Sequence, residues 1–241
     1  MLYEVIVALV AVLAGGVAAV AGFGIGSLLT PVLSLELGTK LAVALISVPH
    51  FVGTALRLWR LRAHVDRKVL LGFGIASAAG GLVGALFHTE AGSPTLAVIF
   101  GLLLLLAGTS ELTGLARRVR LTGAAAWAAG GLSGLFGGMV GNQGGIRSAA
   151  LLGFHLDRHA FVATATAIAL AVDVARMPVY FVAEGSAILA RWPILVLAVV
   201  GVVVGTLLGE RVLGRIPERV FRTVVALLIL ALGAYMLARG F

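Results

Sequence analysis

Three hydrogen-bonding side chains stand inside a glycine-rich break: Asn142, Gln143 and Arg147, in GLFGGMVGNQGGIRSAALLGF (Gly134 to Phe154). Arginine is a permanent cation whose planar fork suits carboxylate, sulfonate or phosphate oxygens. Glycines at 134, 137, 138, 141, 144 and 145 make a poor helix interior, at about 1 kcal/mol each relative to alanine. Apolar sequence flanks the break on both sides, which predicts irregular backbone at membrane depth. Such backbone is tolerated only where it is buried in protein or lines a wet cavity. A related break, AGFGIGSLLTPVLSLELG (Ala21 to Gly38), lies in the first half and carries Ser27 and Thr30. Paired broken segments in two halves are the sequence signature of a carrier's binding site.

Two half-helix N-termini facing one cavity concentrate unpaired N–H groups and partial positive charge, a setting for a small oxyanion. The expected substrate-binding set is Arg147, Asn142, Gln143, Gly144, Gly145, Ser27, Thr30, Gly24 and Gly26, the glycines admitting a ligand to the backbone. Neither break holds Asp or Glu beyond Glu36 near the end of the first, so no metal site is expected, and no cofactor. Asp173 and Arg176, spaced i and i+3, read either as a structural ion pair or as a gating device. His50, beside Pro49, reads as a hydrogen-bonded structural histidine or as a proton-coupling group. Arg57 has no acidic neighbour at that spacing and is expected at an interface.

The elements that position these groups follow from composition. The chain has 241 residues, 61% hydrophobic and only 12% charged, and apolar runs of about 18 residues or more recur throughout. That predicts an all-α polytopic membrane protein. The formal charge of +8 is assigned to cytoplasmic loops and anionic lipid rather than to nucleic acid. There is no cysteine, hence no disulfide or thiol chemistry. Residues 2–22 resemble a signal peptide, but Glu4 and the lack of Lys or Arg before the apolar run favour a retained helix.

The pattern repeats: residues 1–115 form one repeat and 116–241 a second, joined through the basic stretch Ala116 to Arg120. Gly130-Gly131 repeats Gly15-Gly16, Pro217 repeats Pro94, and Gly201-x-x-x-Gly205 repeats the packing face Gly80-Gly81-x-x-Gly84. If each break is the tip of a re-entrant hairpin followed by three true crossings, the second repeat is inverted. Arg60, Arg62, Arg67, Lys68, the 116–120 cluster, Arg158, Arg211, Arg215, Arg219 and Arg222 then share one face. Lys40, Arg191 and Arg239 take the other. This satisfies the positive-inside tendency better than eight plain crossings. It places the protein in the cell inner (plasma) membrane with both termini outside.

The duplicated hairpins resemble the sulfite exporter TauE/SafE family, also called the 4-toluene sulfonate uptake permeases, over essentially the whole chain. Gly22, Gly24, Gly26, Pro31 and Leu33 carry the resemblance in the first half, and Gly137, Gly138, Gly141, Gly144 and Gly145 in the second. Arg147 and Ser148 depart from it, standing where a proline-containing run is usual. The resemblance implies transport of small anions, often sulfur compounds such as sulfite, sulfonates or sulfoacetate. The expected function is therefore a secondary transporter of a small oxyanion, working by alternating access, with export the favoured direction. Its partners are the anionic substrate and membrane lipid, and a homodimer stays open. Two rivals stand beside it. One is a passive anion or small-solute channel. The other is an intramembrane serine hydrolase built on the GxSG string Gly131-Leu132-Ser133-Gly134.

Overall fold

The computed structural model describes residues 2–115, 121–213 and 215–240. Long Ala, Leu and Val runs with few polar interruptions can satisfy their backbone only locally. Among the described residues the regular structure is accordingly all helical. Helix α1 is Leu2–Ala21, and α2 is Ile25–Leu61, bent at Gly38 (φ 73°, ψ 159°) into arms 25–37 and 39–61. Next come α3 (Arg67–Glu90), which includes one π turn at Leu70–Gly74, and α4 (Ser93–Thr113). Then follow α5 (Gly123–Val140), α6 (Gly144–Leu151), α7 (Arg158–Ala190), α8 (Trp192–Leu213) and α9 (Glu218–Gly240). Among the described residues seven helices are long and apolar enough to cross a membrane. The expected join at 116–120 lies outside the described residues.

Both breaks are present, and both are shorter than the glycine content suggests. Only 22–24 and 141–143 leave the helix. Gly22 (φ 79°) and Gly141 (φ 74°) end α1 and α5 in the left-handed conformation that glycine adopts without strain. Each accepts the closing turn, with Gly22 N–H bonded to the Ala18 carbonyl and Gly141 N–H to the Gly137 carbonyl, both at 3.0 Å. Gly134, Gly137 and Gly138, expected in the break, instead stay in α5. A Cβ on Gly134 would strike the Ser77 carbonyl, and one on Gly138 the Gly81 carbonyl. The task of these two is close helix packing, as small residues perform it in membranes, while Gly137 makes room for the Gln143 side chain. The arms of each hairpin are also unequal. Helix α1 has 20 residues, about 30 Å at 1.5 Å per residue, and is followed by the shorter arm 25–37, whereas α5 has 18 and α6 only 8. The second arms, expected from the sequence to begin near Ser27 and Asn142, have Gly24 and Gln143 at their N-cap positions, without side-chain caps.

Packing exchanges partners between the halves: α1 lies against α8, α5 against α3, α2 against α7 and α4 against α9. In the first two pairs the glycine faces do the work. Gly80 and Gly84 approach the Gly131 and Leu135 carbonyls, and Gly205 approaches the Val12 carbonyl. Residue numbers rise together across α3/α5 and α1/α8, so those pairs are parallel. Across α4/α9 they run opposite: Gly101 faces Gly233, and Gly108 faces Ala226 and Leu230. The second arm of α2 is likewise antiparallel to α7, since His50 meets Asp173 and Arg57 meets Thr166.

The bundle's two ends differ in charge. At one, Tyr3 donates to the Leu33 carbonyl (3.3 Å) and Arg239 to the Ser34 carbonyl (3.2 Å), with Lys40 bonded to the Thr89 carbonyl (2.5 Å). At the other, Asp66 N–H reaches Thr164 (2.9 Å), His64 stacks near His159, and Arg222 pairs with Glu111. Asp157 caps α7 there. The N–H groups of Ala160 and His159 hold its carboxyl below the usual carboxylate range. The protein's three tryptophans, Trp59, Trp127 and Trp192, are all exposed, the habit of interfacial aromatics.

Candidate functional site

The two breaks meet. A Cβ on Gly26 would come within 2.5 Å of the Gly141 carbonyl, and one on Gly144 within 2.7 Å of Phe23 Cβ. Only residues without side chains permit this approach, so the backbone of each hairpin lies directly on the other. Ser133, the serine of the GxSG string, donates its hydroxyl to the Gln143 carbonyl (3.1 Å) and is fully buried. It fastens the second break.

Around this contact the expected polar side chains are all buried: Ser27, Thr30, Asn142, Gln143 and Arg147. Several have no partner among the described residues, namely Thr30 Oγ1, Asn142 Nδ2, Gln143 Oε1, and both Nε and Nη1 of Arg147. An unmet buried polar group costs about 1–3 kcal/mol, and more when charged. Arg147 is 2% exposed, so it does not snorkel to an interface. It lies within electrostatic range of Arg57 and Asp173.

Not all expected residues share one space. A cavity of about 230 Å³ runs along the start of α6, between the second break and α4. Of the expected set it is lined by Asn142, Gly144 and Gly145, together with Ser148 and a mainly apolar wall that includes Phe23 and Ala107. Arg147, Gln143, Ser27, Thr30, Gly24 and Gly26 are not in its lining.

The second polar cluster is built across the halves. Asp173 on α7 binds Arg176 one turn on (Oδ1 to Nη2, 2.8 Å; Nε to Oδ1, 3.0 Å) and receives His50 Nδ1 from α2 at 2.6 Å. Arg176 also donates Nη1 to the Gly137 carbonyl (2.7 Å), and Tyr180 donates to the Gly138 carbonyl. The expected i, i+3 pair is thus present, and its arginine closes the end of α5. Arg57 does the same for α1: Nη1 donates to the Ala18 carbonyl (2.6 Å) and Nε to Thr166 (3.0 Å). It is 5% exposed, which corrects the expectation of an interfacial residue. The Ala18 carbonyl, which also accepts from Gly22 N–H, is the acceptor in place of a neighbouring acid.

Three groups were missed from the sequence: Arg57 as a cap, Tyr180, and His88. His88 reads as part of a polar turn, yet it is fully buried in α3, bonded through Nδ1 to the Met139 carbonyl (2.8 Å). All three serve the last turn of α1 or α5, a demand visible only once those turns are known to be buried. The buried charges among the described residues are unequal, with Arg57, Arg147 and Arg176 facing the single carboxylate of Asp173. That imbalance suits an anionic guest.

A family model described as "Sulfite exporter TauE/SafE" matches residues 7–236. No curated protein and no solved structure matches the chain.

Proposed function

The chain belongs to the sulfite exporter TauE/SafE family, a family of membrane transporters and not of enzymes, and from that premise we propose that it carries a small oxyanion by alternating access. Sulfur-containing anions such as sulfite, a sulfonate or sulfoacetate are the substrate class. Residues 1–115 and 116–241 act as two inverted repeats rocking about the contact between the breaks. The opposed directions of α4 and α9, and of α2 and α7, support the inversion. The basic end is cytoplasmic and both termini face outside, in the inner (plasma) membrane.

The observation that carries this reading is Arg147: fully enclosed, adjacent to the meeting point of the breaks, with two N–H donors unmet among the described residues. An oxyanion supplies acceptors to those donors and to Asn142 Nδ2, Thr30 and the backbone of Gly144 and Gly145 that lines the cavity. Ser27, Gln143, Gly24 and Gly26 complete the surround. Because Arg147 and the 230 Å³ cavity lie beside the same helix start, the rocking motion would join them in one of the two states. Asp173, Arg176 and His50 form the gating or coupling unit, since they tie α7 to both α2 and the end of α5. Export of a monoanion gains about 2.3 kcal/mol per 100 mV of inside-negative potential.

Proteoliposomes loaded with labelled sulfite, a sulfonate or a carboxylate test the proposal. Arg147→Ala should abolish saturable efflux of the preferred anion while the protein stays monodisperse. Unchanged efflux removes Arg147 from the site. Ohmic, non-saturating current in a planar bilayer would replace the carrier with a channel.

A further inference from the structure

Hydroxyls buried in this bundle have a usual outlet. Thr166 donates to the Val162 carbonyl (2.7 Å), Ser47 to the Ala44 carbonyl (2.6 Å) and Ser34 to the Pro31 carbonyl (2.7 Å). Back-bonding to the preceding turn is the ordinary resort of Ser and Thr in apolar helices. Three buried threonine hydroxyls have no partner among the described residues, those of Thr30, Thr54 and Thr206. Thr30 belongs to the site proposed above. Thr54, fully buried in the second arm of α2, is the one that stands between His50 and Arg57.

Its place follows from helix geometry. His50, Thr54 and Arg57 are spaced i, i+4 and i+7 and so share one face of α2. That face lies on α7, since His50 Nδ1 meets Asp173 (2.6 Å) and Arg57 Nε donates to Thr166 (3.0 Å). The same stretch passes the first break. Arg57 Nη1 reaches the Ala18 carbonyl (2.6 Å), and a Cβ on the adjoining Gly53 would come within 3.1 Å of Ile25 Cδ1. Arg147 is within electrostatic range of both Asp173 and Arg57, the two charges that bracket Thr54 along the contact of α2 with α7. Arg57 lines a cavity of about 160 Å³, which brings open space to about one helical turn from Thr54.

At this position the two halves part. Arg176 and Arg57 each hold the end of a first arm, through the Gly137 and Ala18 carbonyls. Three residues before Arg176 stands Asp173, whose carboxylate neutralises it at 2.8 Å. Three residues before Arg57 stands Thr54. A carboxylate at 54 would pair with Arg57 at the same spacing, and would set a second buried negative charge against an incoming anion. A hydroxyl instead leaves the positive field of Arg57 and Arg147 in place. It also offers an O–H donor to an oxyanion oxygen, a contact stronger than a hydrogen bond between neutral groups.

We infer that Thr54 is a substrate-contacting residue that selects for negative charge: its hydroxyl donates to the oxyanion held by Arg147, at the position where the second half carries a carboxylate. The inference rests on the transport reading above, and it adds a group from the second arm of α2 to a site otherwise drawn from the two breaks.

The test uses full-length protein in proteoliposomes loaded with labelled sulfite, methanesulfonate or acetate, with the concentration dependence of efflux as the readout. Thr54→Val keeps the shape and removes the hydroxyl. The half-saturating concentration should rise about tenfold, the scale of one hydrogen bond to a charged group, with the maximal rate little changed. Thr54→Ser restores the hydroxyl and should return half-saturation to within about twofold of wild type. A packing role alone would give the opposite order, because valine fills the space and serine does not. Thr54→Asp should abolish saturable efflux while its unfolding temperature in detergent stays at or above that of wild type, since Arg57 stands at i+3. Should Thr54→Asp not fold, the Val and Ser variants decide the matter. The inference is overturned if Thr54→Val leaves half-saturation unchanged, if Thr54→Ser is weakened as much as Thr54→Val, or if folded Thr54→Asp transports as wild type does. Each of those results leaves the transport reading standing, because wild type and Arg147→Ala report on it separately. Wild-type protein that moves none of the three anions ends the transport reading itself, and the inference with it.

Discussion

Arg57 and Arg176 occupy matching places and live in different electrostatic surroundings. Each reaches from the long helix after its hairpin to the carbonyl four residues before a left-handed glycine, Ala18 before Gly22 and Gly137 before Gly141. Arg176 is then neutralised by Asp173, whereas Arg57 has only hydroxyl and carbonyl oxygens. At the position three residues before Arg57 stands Thr54, fully buried and with its hydroxyl unpartnered among the described residues. The scaffold is thus the same at both hairpins and the charge is not. One end is a closed ion pair linked to His50; the other retains a positive field beside a small cavity. Under the proposed alternating access, equal packing would let two halves exchange shapes while unequal charge would give the two shapes different affinities.

The largest expected effect falls where the halves are alike. Gly134→Leu in α5 and Gly205→Leu in α8 both push a side chain into the backbone of a parallel partner helix, at the Ser77 and Val12 carbonyls respectively. Neither neighbour can yield, being main chain inside a packed bundle. Both variants should lose folded, monodisperse protein altogether on size-exclusion chromatography. Survival of one and loss of the other would mean that the two interfaces carry different loads.

The next effect separates the halves. Asp173→Asn leaves Arg176 without its carboxylate in a buried site, at a cost of about 3–5 kcal/mol. Arg57→Met removes a cation whose neutral acceptors each keep another bond, Ala18 from Gly22 N–H and Thr166 to Val162, and should cost less, about 1–2 kcal/mol for the lost hydrogen bonds. Thermal unfolding in detergent should therefore place Asp173→Asn well below Arg57→Met. A reversed order would mean that the Ala18 cap matters more than the ion pair, and the comparison above would fail.

The architecture was largely legible beforehand because it rests on local signals. Pro94 and Gly114 bracket α4, the apolar runs mark the spans, and the paired breaks stand out as glycines without helical company. The breaks were nonetheless read too long. A glycine inside an apolar run reports either a break or a close approach, and Gly134 and Gly138 belong to the second kind. Their i, i+4 spacing, continued back to Gly130, is the clue that one helix face is involved. The site was legible only in part. Arg147, Asn142 and the 144–145 glycines can be picked out within one segment, but His50 and Asp173 come from different halves. No local pattern announces that pair, nor Arg57's use of the Ala18 carbonyl. Side-chain partners that depend on tertiary packing leave no periodicity to read.

His50 carries the smallest effect and the sharpest distinction between the halves, since it touches only the second arginine's cluster. Its Nδ1 lies 2.6 Å from Asp173 Oδ2, with the imidazole partly exposed, while Asp173 and Arg176 are buried. The charged groups facing it are Asp173, Arg176 and, from its own helix, Arg57. Protonation adds a positive charge against Asp173 and so competes with Arg176 for the same carboxylate. Arg176 in turn holds the end of α5 through Gly137. A proton taken or lost at His50 would thereby change how firmly the second hairpin is held, with no corresponding group on the Arg57 side. Imidazole is the side chain suited to taking and losing a proton in the physiological range, so transport by the wild type should vary with pH. His50→Gln keeps a hydrogen bond to Asp173 without the titration, and should give a flat profile with substrate affinity nearly unchanged. If the variant instead retains the wild-type pH dependence, the cluster is a structural tie and His50 is not a coupling group.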